Sequence, residues 1–344
     1  MKTGLAGALV AALGLTLGLA APADAQPGKP ETTRLRLAVG GKPALYYLPL
    51  TVTERLGYFK DEGLEVEISD LQGGSKALQS LIGGSADVVT GAFDHIIQMQ
   101  AKNQLIVGVA LLGRLSGIVL GVLSSKADAY KGPQDLKGMK IGVTAPGSST
   151  HFMVDYIMAK AGLKPEDASF IGVGTTSTAV AAVKRGEIDA ISNVDPVISL
   201  LTSQGLIKIV ADTRTPEGSQ QVYDGPYPAA TLYASPEFIA KNPSTIQALV
   251  NAFVRGLKWM HTHAPEEIVK ILPEEYALGD VPLYTQAVKN DLPTYSPDGR
   301  FSREGAETAY KVLKAFDPAV AGAKIDLGAT YTHDFVEKAN AAHK

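Results

Sequence analysis

One α/β segment occurs twice in this chain, and the repeat limits the folds that the chain can adopt. Residues 73–89 and 175–191 match at a single offset of 102 positions (189 − 87 = 102). Each copy has a hydroxyl residue that can cap a helix, a Gly suited to the helix end and a strand-like run after it. The matched pairs are Ser75 with Ser177, Ala77 with Ala179, Gly84 with Gly186, and Asp87 with Asp189. The repeat predicts two similarly built α/β lobes with a cleft between them.

Strands and helices alternate around both copies of the repeat. Predicted strands at 35–40 and 139–144 each lead into a helix and then into a second strand, at 65–69 or 168–173. This β-α-β-α-β order is typical of parallel sheets. A single doubly wound domain would show the same alternation and is the alternative.

The predicted lobes are discontinuous in the chain. We expect the first lobe to comprise residues 34–115 and 229–344, and the second lobe to comprise residues 116–228. Two crossing strands would then form a hinge. The C-terminal third has no counterpart in the repeat, and helices predicted from Pro243 onward would pack on the first lobe.

The first 25 residues predict a secretory signal peptide, which would place the mature chain in the periplasm. Lys2 precedes an apolar run over residues 5–20, and Ala-Asp-Ala at 23–25 is a small-x-small cleavage motif. A second apolar run, at 106–123, contains Arg114 and four glycines. We interpret it as two buried strands, since a charge at mid-span is costly in lipid. We expect no integral membrane segment after signal removal.

Composition argues against several functional classes. The formal net charge of −3 lacks the basic excess of a nucleic-acid binder, and with no Cys there are no disulfides, thiolate metal sites or Cys nucleophiles. His261 and His263 project to different faces of a helix, so we expect no metal and no cofactor. Since Gly-x-Ser-x-Gly and His-Glu-x-x-His motifs are also missing, we expect a monomeric binding protein rather than an enzyme.

The ligand site is predicted beyond the carboxyl ends of the strands, where helix starts converge. Three helix starts there combine glycines with hydroxyl residues, and the strand end at 90–94 adds a fourth segment. Free amides and the positive end of the helix dipole suit an oxyanion. Each hydroxyl could instead only cap its helix. The candidates in these segments are Gly74, Ser75, Phe93, Asp94, Ser148, Ser149, Thr150, Thr175 and Thr176.

Further candidates lie outside those segments. Arg114 could form a bidentate bond to a ligand anion, or could pair with Asp94 or Asp195 as structure. Lys42 is a second candidate cation, and Asn193 and Asp195 could contact amine or hydroxyl groups. Asp195-Pro196 could instead only begin a helix. The side chains expected to supply apolar walls and polar tips are Tyr46, Tyr47, Phe93, His151 and Tyr227.

Six motifs point to a family. The longest, at 57–67, reads GYFKDEGLEVE, and the others lie at 77–87, 135–138, 147–149, 161–163 and 186–190, the last shortly before Asp195-Pro196. Together they resemble the extracytoplasmic solute-binding proteins of ABC importers for nitrate, sulfonates, taurine and thiamine-pyrimidine-type ligands. The resemblance implies a type II periplasmic-binding fold, whose hinged lobes close on a small molecule and dock to permease subunits.

The expected function is therefore delivery of a small anionic or polar organic solute, such as a sulfonate, nitrate or a carboxylate, to an ABC importer. A thiamine-pyrimidine or other heteroaromatic ligand is one alternative, and a periplasmic enzyme on the same fold is another. The fungal pyrimidine synthase of thiamine biosynthesis resembles a Cys-rich variant of this fold. This chain has no Cys, so it lacks what that chemistry is thought to use. LysR-type regulators carry a similar sensor domain behind a DNA-binding motif, where this chain has its predicted signal peptide.

Overall fold

Two five-stranded sheets with the same strand arrangement organise the protein. The structure is a computed structural model that describes residues 28–343, so the predicted signal peptide at 1–25 lies outside the described residues. The first sheet contains β1 (Arg34–Val39), β2 (Glu65–Asp70), β3 (Val88–Ala92), β4 (Val107–Leu111) and β10 (Ala230–Ala234). The second contains β5 (Val119–Leu123), β6 (Lys140–Val143), β7 (Ser169–Gly172), β8 (Ala190–Asn193) and β9 (Ile207–Asp212).

The strand order of the two sheets confirms the predicted two-lobed α/β fold. The first sheet has the order β2-β1-β3-β10-β4, and the second has the order β7-β6-β8-β5-β9. In each sheet, two parallel pairings hold the first three strands, and the fourth strand runs antiparallel to both of its neighbours. That fourth strand is the one that arrives from the other lobe. The alternative of one doubly wound sheet is wrong.

The repeated residues hold equivalent parts of the two sheets together. The Asp87 carboxylate accepts a hydrogen bond from the Arg36 backbone N–H at 2.8 Å, and Asp189 accepts the same bond from Lys140 at 2.8 Å. Gly84 and Gly186 end the helices before these aspartates, with φ angles of 75° and 63° that favour glycine. The repeat therefore specifies a frame that pins β1 to the turn before β3 in the first sheet, and β6 to the turn before β8 in the second.

Fifteen α-helices lie in the described part of the chain. In the first half they are α1 (Leu48–Arg55), α2 (Tyr58–Asp61), α3 (Gly74–Ile82), α4 (Phe93–Ala101), α5 (Ser149–Lys160) and α6 (Ser177–Lys184). Next come α7 (Val197–Ser203), α8 (Pro216–Tyr223), α9 (Pro236–Lys241), α10 (Pro243–Thr262) and α11 (Pro265–Ile271). The last are α12 (Val281–Asp291), α13 (Arg303–Phe316), α14 (Pro318–Gly322) and α15 (Asp334–Ala342).

The C-terminal helices cover the first lobe and also touch the second. Helix α10 buries one long apolar face against α1, α2, β4 and α15, as its 3.6-residue pattern predicts. Helices α12 and α13 reach further, because they pack on α7 and α5 of the second lobe. The sequence patterns do not predict α8 and α12.

The chain passes between the lobes twice, and the two passages are bonded to each other. Ala229 donates its backbone N–H to the Gly113 carbonyl at 2.8 Å, and Thr213 donates to the Ile118 carbonyl at 3.0 Å. The apolar run at 106–123 forms two buried strands, as predicted, and they belong to different sheets. None of the helices within residues 28–343 combines the length and apolar character needed to cross a bilayer.

Candidate functional site

A cavity lies between the two lobes at the carboxyl ends of their parallel strands. We call it the central cavity, and its interior volume is about 30 Å³. Its lining residues are Gly40, Ala44, Tyr46, Tyr47, Gly74, Ala92, Ile118, Thr144, Ser148, Ser149, Thr150, Thr175 and Val194. Of the seventeen candidates that we derived from the sequence, the seven that line it are Tyr46, Tyr47, Gly74, Ser148, Ser149, Thr150 and Thr175.

Helix starts bring the polar residues to the central cavity. Helix α3 begins at Gly74 and helix α5 begins at Ser149, one on each side of the cavity. Thr175 lies in the loop after β7, and Thr144 follows β6 directly. These positions all lie beyond strand carboxyl ends, which is the sheet edge at which we predicted a site.

The hydroxyls at these helix starts join the two lobes rather than cap their own helices. Ser75 donates its backbone N–H to Ser148 Oγ at 3.0 Å, and its own hydroxyl donates to the Pro146 carbonyl at 2.9 Å. No N-cap side chain accepts a hydrogen bond at the starts of α3, α5 and α6, among the helices described. The suggestion that Ser75 and Ser177 are N-caps is therefore wrong, because Gly73 and Thr176 occupy those positions.

A buried carboxylate lies directly behind the cavity wall. Asp94 is 0% exposed, and its Oδ1 accepts a hydrogen bond from the Ser149 hydroxyl at 2.9 Å. Its Oδ2 accepts a hydrogen bond from the Tyr227 hydroxyl at 3.0 Å. Since the Ser149 hydrogen is committed to Asp94, the Ser149 oxygen presents lone pairs, and it can accept but not donate.

Backbone amides and one hydroxyl supply donors to the same cavity. Gly74, Ser149 and Thr150 occupy first-turn positions, where a helix provides no partner for the N–H group. Thr175 Oγ1 is buried and has no hydrogen-bond partner among the described residues. The cavity thus offers donors at the helix tips and an acceptor at Ser149, so it suits a ligand with both kinds of group.

Two adjacent tyrosines form the aromatic part of the wall. The rings of Tyr46 and Tyr47 meet edge to face with centroids 4.9 Å apart. Burial, assisted by the neighbouring Tyr47 ring and by Asp94, raises the pKa of Tyr46 well above its usual range. Both phenols therefore remain neutral near pH 7, and with Ala44, Ile118 and Val194 they give the cavity a largely apolar lining.

His95 ties the first lobe to the helix tip of the second. Its ring lies behind Gly74, and Nε2 donates to the Gly147 carbonyl at 3.3 Å. Burial lowers the pKa of His95, although the nearby Asp94 charge opposes that shift. A neutral imidazole results, and it orients the glycine that precedes the α5 hydroxyls without adding a positive charge.

Among residues 28–343, no Lys, Arg or His side chain lines the central cavity. Arg114 instead donates from Nε to the Pro293 carbonyl at 2.9 Å, and Lys42 forms an ion pair with Glu54 at 2.6 Å. The structure therefore brings neither predicted cation to the cavity. The predicted pairing of Arg114 with Asp94 or Asp195 is wrong, because other donors already occupy both carboxylates.

Asp195 and its neighbours play structural roles. The Asp195 carboxylate accepts the Ser199 N–H at 2.7 Å, so it begins α7, and it also pairs with Arg214 at 2.9 Å. Asn193 uses its side-chain amide to donate to the Gly174 carbonyl at 2.9 Å. Neither side chain lines the central cavity, and the helix-starting role that we weighed for Asp195 is the one observed.

Three further candidates also lie away from the cavity lining. Phe93 packs in the first-lobe core against Phe301, with ring centroids 5.8 Å apart. His151 accepts the Gly147 N–H through Nδ1 at 3.0 Å and lies on the Phe170 ring. Thr176 is the N-cap residue of α6 and is half-buried. Sequence reasoning missed several lining residues without a chemical signature: Gly40, Ala44, Ala92, Ile118, Thr144 and Val194.

The sequence matches one protein family over most of its length. The family described as NMT1/THI5 like matches residues 44–268, which is more than half of the chain. Bacillus subtilis YtlA, a presumed binding protein, is 24% identical over 260 residues, covering 74% of this chain and 75% of YtlA. The yeast 4-amino-5-hydroxymethyl-2-methylpyrimidine phosphate synthase THI13 is 27% identical over 161 residues. The match covers 46% of this chain and 46% of THI13, which is about half of each protein.

Solved structures share the fold. A protein from Bordetella bronchiseptica RB50 is 50% identical, with a TM-score of 0.89 over 92% of this chain and 99% of that one. The alkanesulfonate-binding protein SsuA of Xanthomonas axonopodis pv. citri, solved with MOPS, is 18% identical with a TM-score of 0.69 over 88% and 99%. The periplasmic nitrate-binding protein NrtA of Synechocystis is 17% identical with a TM-score of 0.68 over 92% and 90%.

Proposed function

The chain belongs to the NMT1/THI5-like family, and on that premise we propose that it is a periplasmic solute-binding protein that delivers a small molecule to an ABC importer. One observation carries the proposal: the central cavity is lined from both lobes and enclosed by hydrogen bonds between them. The fold shared with SsuA and NrtA supports it.

Binding in this proposal works through lobe closure. The lobes, at 34–115 with 229–344 and at 116–228, rotate about the two chain passages. The contacts from Ser75 to Ser148 and from Ser149 to Asp94 exist only when the lobes meet. A solute that contacts both faces therefore favours the closed form by the difference in its affinity for the two forms. The permease recognises the monomer in that form.

The cavity chemistry favours a small organic solute with an apolar body. Its small interior, about 30 Å³, and its tyrosine wall suit a compact molecule. Amides at Gly74, Ser149 and Thr150 suit a sulfonate or carboxylate oxygen. The nearby Asp94 carboxylate and the lack of a basic lining residue disfavour multiply charged anions.

A heteroaromatic solute is the second candidate. The acceptor formed by Ser149 and Asp94 would take an N–H group of such a ring, and Tyr46 and Tyr47 would contact its faces and edges. THI13, to which this chain is similar, is named as a pyrimidine phosphate synthase. This chain has no Cys, and we propose that it binds its solute without catalysing a reaction.

A ligand screen tests the function. Calorimetry and thermal shift are run on purified protein with nitrate, alkanesulfonates, small carboxylates, amino acids and aminopyrimidines. We expect at least one class to bind and to raise the melting temperature. If a compound in the same screen is converted to a product, and no compound binds without being converted, the protein is an enzyme and the proposal is contradicted.

A further inference from the structure

A second cavity adjoins the central cavity at the passages between the lobes. We call it the crossing cavity, and its interior volume of about 10 Å³ has room for one group of about the size of water or an ammonium head. Its lining residues are Tyr46, Gly113, Leu115, Ser116, Gly117, Val194, Ala229, Ala230, Asp291, Thr294 and Tyr295. Tyr46 and Val194 line both cavities, so the two spaces lie on either side of the same pair of side chains.

One acidic side chain faces the crossing cavity without a partner. Asp291 is the last residue of α12, and it is 4% exposed. Its Oδ1 has no hydrogen-bond partner among the described residues. A buried carboxylate oxygen that lacks a donor is costly, because it loses its water and gains nothing in return.

The basic group whose charge acts on Asp291 is already committed to other carboxylates. Arg214 donates from Nη1 to Asp195 at 2.9 Å, and from Nε and Nη2 to Asp212 at 3.0 and 2.6 Å. Among residues 28–343, no Lys or Arg side chain lines the crossing cavity. Burial raises the pKa of Asp291, and the charges of Asp195 and Asp212 add to this while Arg214 opposes it. Within the described part of the chain, no basic group therefore donates to Asp291 Oδ1.

We propose that the crossing cavity receives a protonated amine or amidinium group of the solute, which donates a hydrogen bond to Asp291. This inference rests on the proposed function and names its substrate class: a solute with a hydrogen-bond acceptor at one end and a cationic nitrogen at the other. The acceptor end meets the amides of Ser149 and Thr150, and the nitrogen end passes Tyr46 to reach Asp291. Within residues 28–343 no three His, Asp or Glu side chains are grouped to hold a metal ion, so an organic cation is the better partner.

Matched probes test this inference. Calorimetry compares 4-aminobutyrate with butyrate, and 3-aminopropanesulfonate with propanesulfonate, on the full mature protein. We expect the wild type to bind the amino member of at least one pair about tenfold more tightly or better, as for a hydrogen bond to a charged group. Asp291→Asn should remove that preference and leave the amino-free probe unaffected. The control Asp334→Asn makes the same charge change at an exposed residue and should keep the preference.

The possible outcomes separate this inference from the proposed function. If an amino-free probe binds as tightly as its amino partner, the inference fails while the binding function stands. An amine preference that survives in Asp291→Asn also overturns it. The wild-type comparison needs no variant, so a folding defect in Asp291→Asn would not obscure the result. If no compound of either the pairs or the wider screen binds, both proposals fail.

Discussion

The two faces of the central cavity are chemically different although the lobes that carry them are built alike. The first lobe supplies the rings of Tyr46 and Tyr47 and, behind the wall, the Asp94 carboxylate. The second lobe supplies hydroxyls at 148–150 and the free amides of Ser149 and Thr150, together with the Thr175 hydroxyl. A solute between them meets an apolar, acidic face and a polar, donor-rich face. The shared strand order places the faces, and the loops decide their chemistry.

The repeated segment shows the same division within itself. Asp87 and Asp189 make the same backbone bond in both lobes. Ser75 and Ser177 also match in sequence, yet Ser75 is buried in the contact between lobes and Ser177 is exposed. Matched positions therefore agree where they build the frame and differ where they face the other lobe.

The largest expected effect concerns the acidic face. Asp94→Ala leaves the Ser149 and Tyr227 hydroxyls without their buried acceptor, so the free energy of unfolding should fall by about 3 kcal/mol. Urea unfolding measures it. Tyr227→Phe removes a single donor and should cost about half as much. An Asp94→Ala loss no larger than that of Tyr227→Phe would show that this carboxylate does not organise the first-lobe face.

The next effect compares two helix starts of the second lobe. Ser149→Ala removes a bond to a buried carboxylate across the cavity and should weaken binding of the best probe by about tenfold. Ser177→Ala makes the same change at the start of α6, at an exposed residue, and should leave affinity unchanged. Calorimetry on both variants decides the point. Equal losses would mean that Ser149 has no special role in the closed form.

The smallest effect tests the symmetry of the frame. Burial alone would raise the pKa of Asp87 and Asp189, but hydrogen bonds from Arg36 to Asp87, and from Lys126 and the Lys140 backbone to Asp189, lower both. The stability from these bonds is present above the unfolded pKa near about 3.9 and is lost as pH falls through the folded pKa.

Thermal unfolding between about pH 5 and about pH 2 measures this acid dependence. Asp87→Asn and Asp189→Asn should each flatten it, by a similar amount of about 1 kcal/mol. A flattening in one variant and not in the other would break the equivalence of the two copies.

Sequence patterns predicted the frame well because it depends on local signals. The strand runs, the Gly stops and the Asp87 and Asp189 pair lie within or beside the two copies of the repeat, so periodicity and spacing located both sheets. Helices α8 and α12 were missed although each has a cap followed by Pro, at Thr215-Pro216 and in the run Asp280 to Pro282. Their prolines resemble loop signals, and in the structure they occupy the first helical turn.

The site was harder to predict because it depends on contacts between segments far apart in the chain. Hydroxyl-rich helix starts located five lining residues, but the sequence holds no sign that Ser149 donates to Asp94, 55 positions earlier. Arg114 was an attractive anion ligand because it is charged in an apolar run, yet it does not line the cavity. Asp291 has no local signal, since it closes α12, a helix that the sequence patterns do not predict.

The central claim is that a solute is held between two unlike faces when the lobes close. A crystal structure of the protein with the tightest-binding compound of the screen tests it most directly. We predict ligand density in the central cavity, with an oxygen at the amides of Ser149 and Thr150 and the body against Tyr46. Density bound elsewhere, or lobes that stay apart around the ligand, would contradict the account.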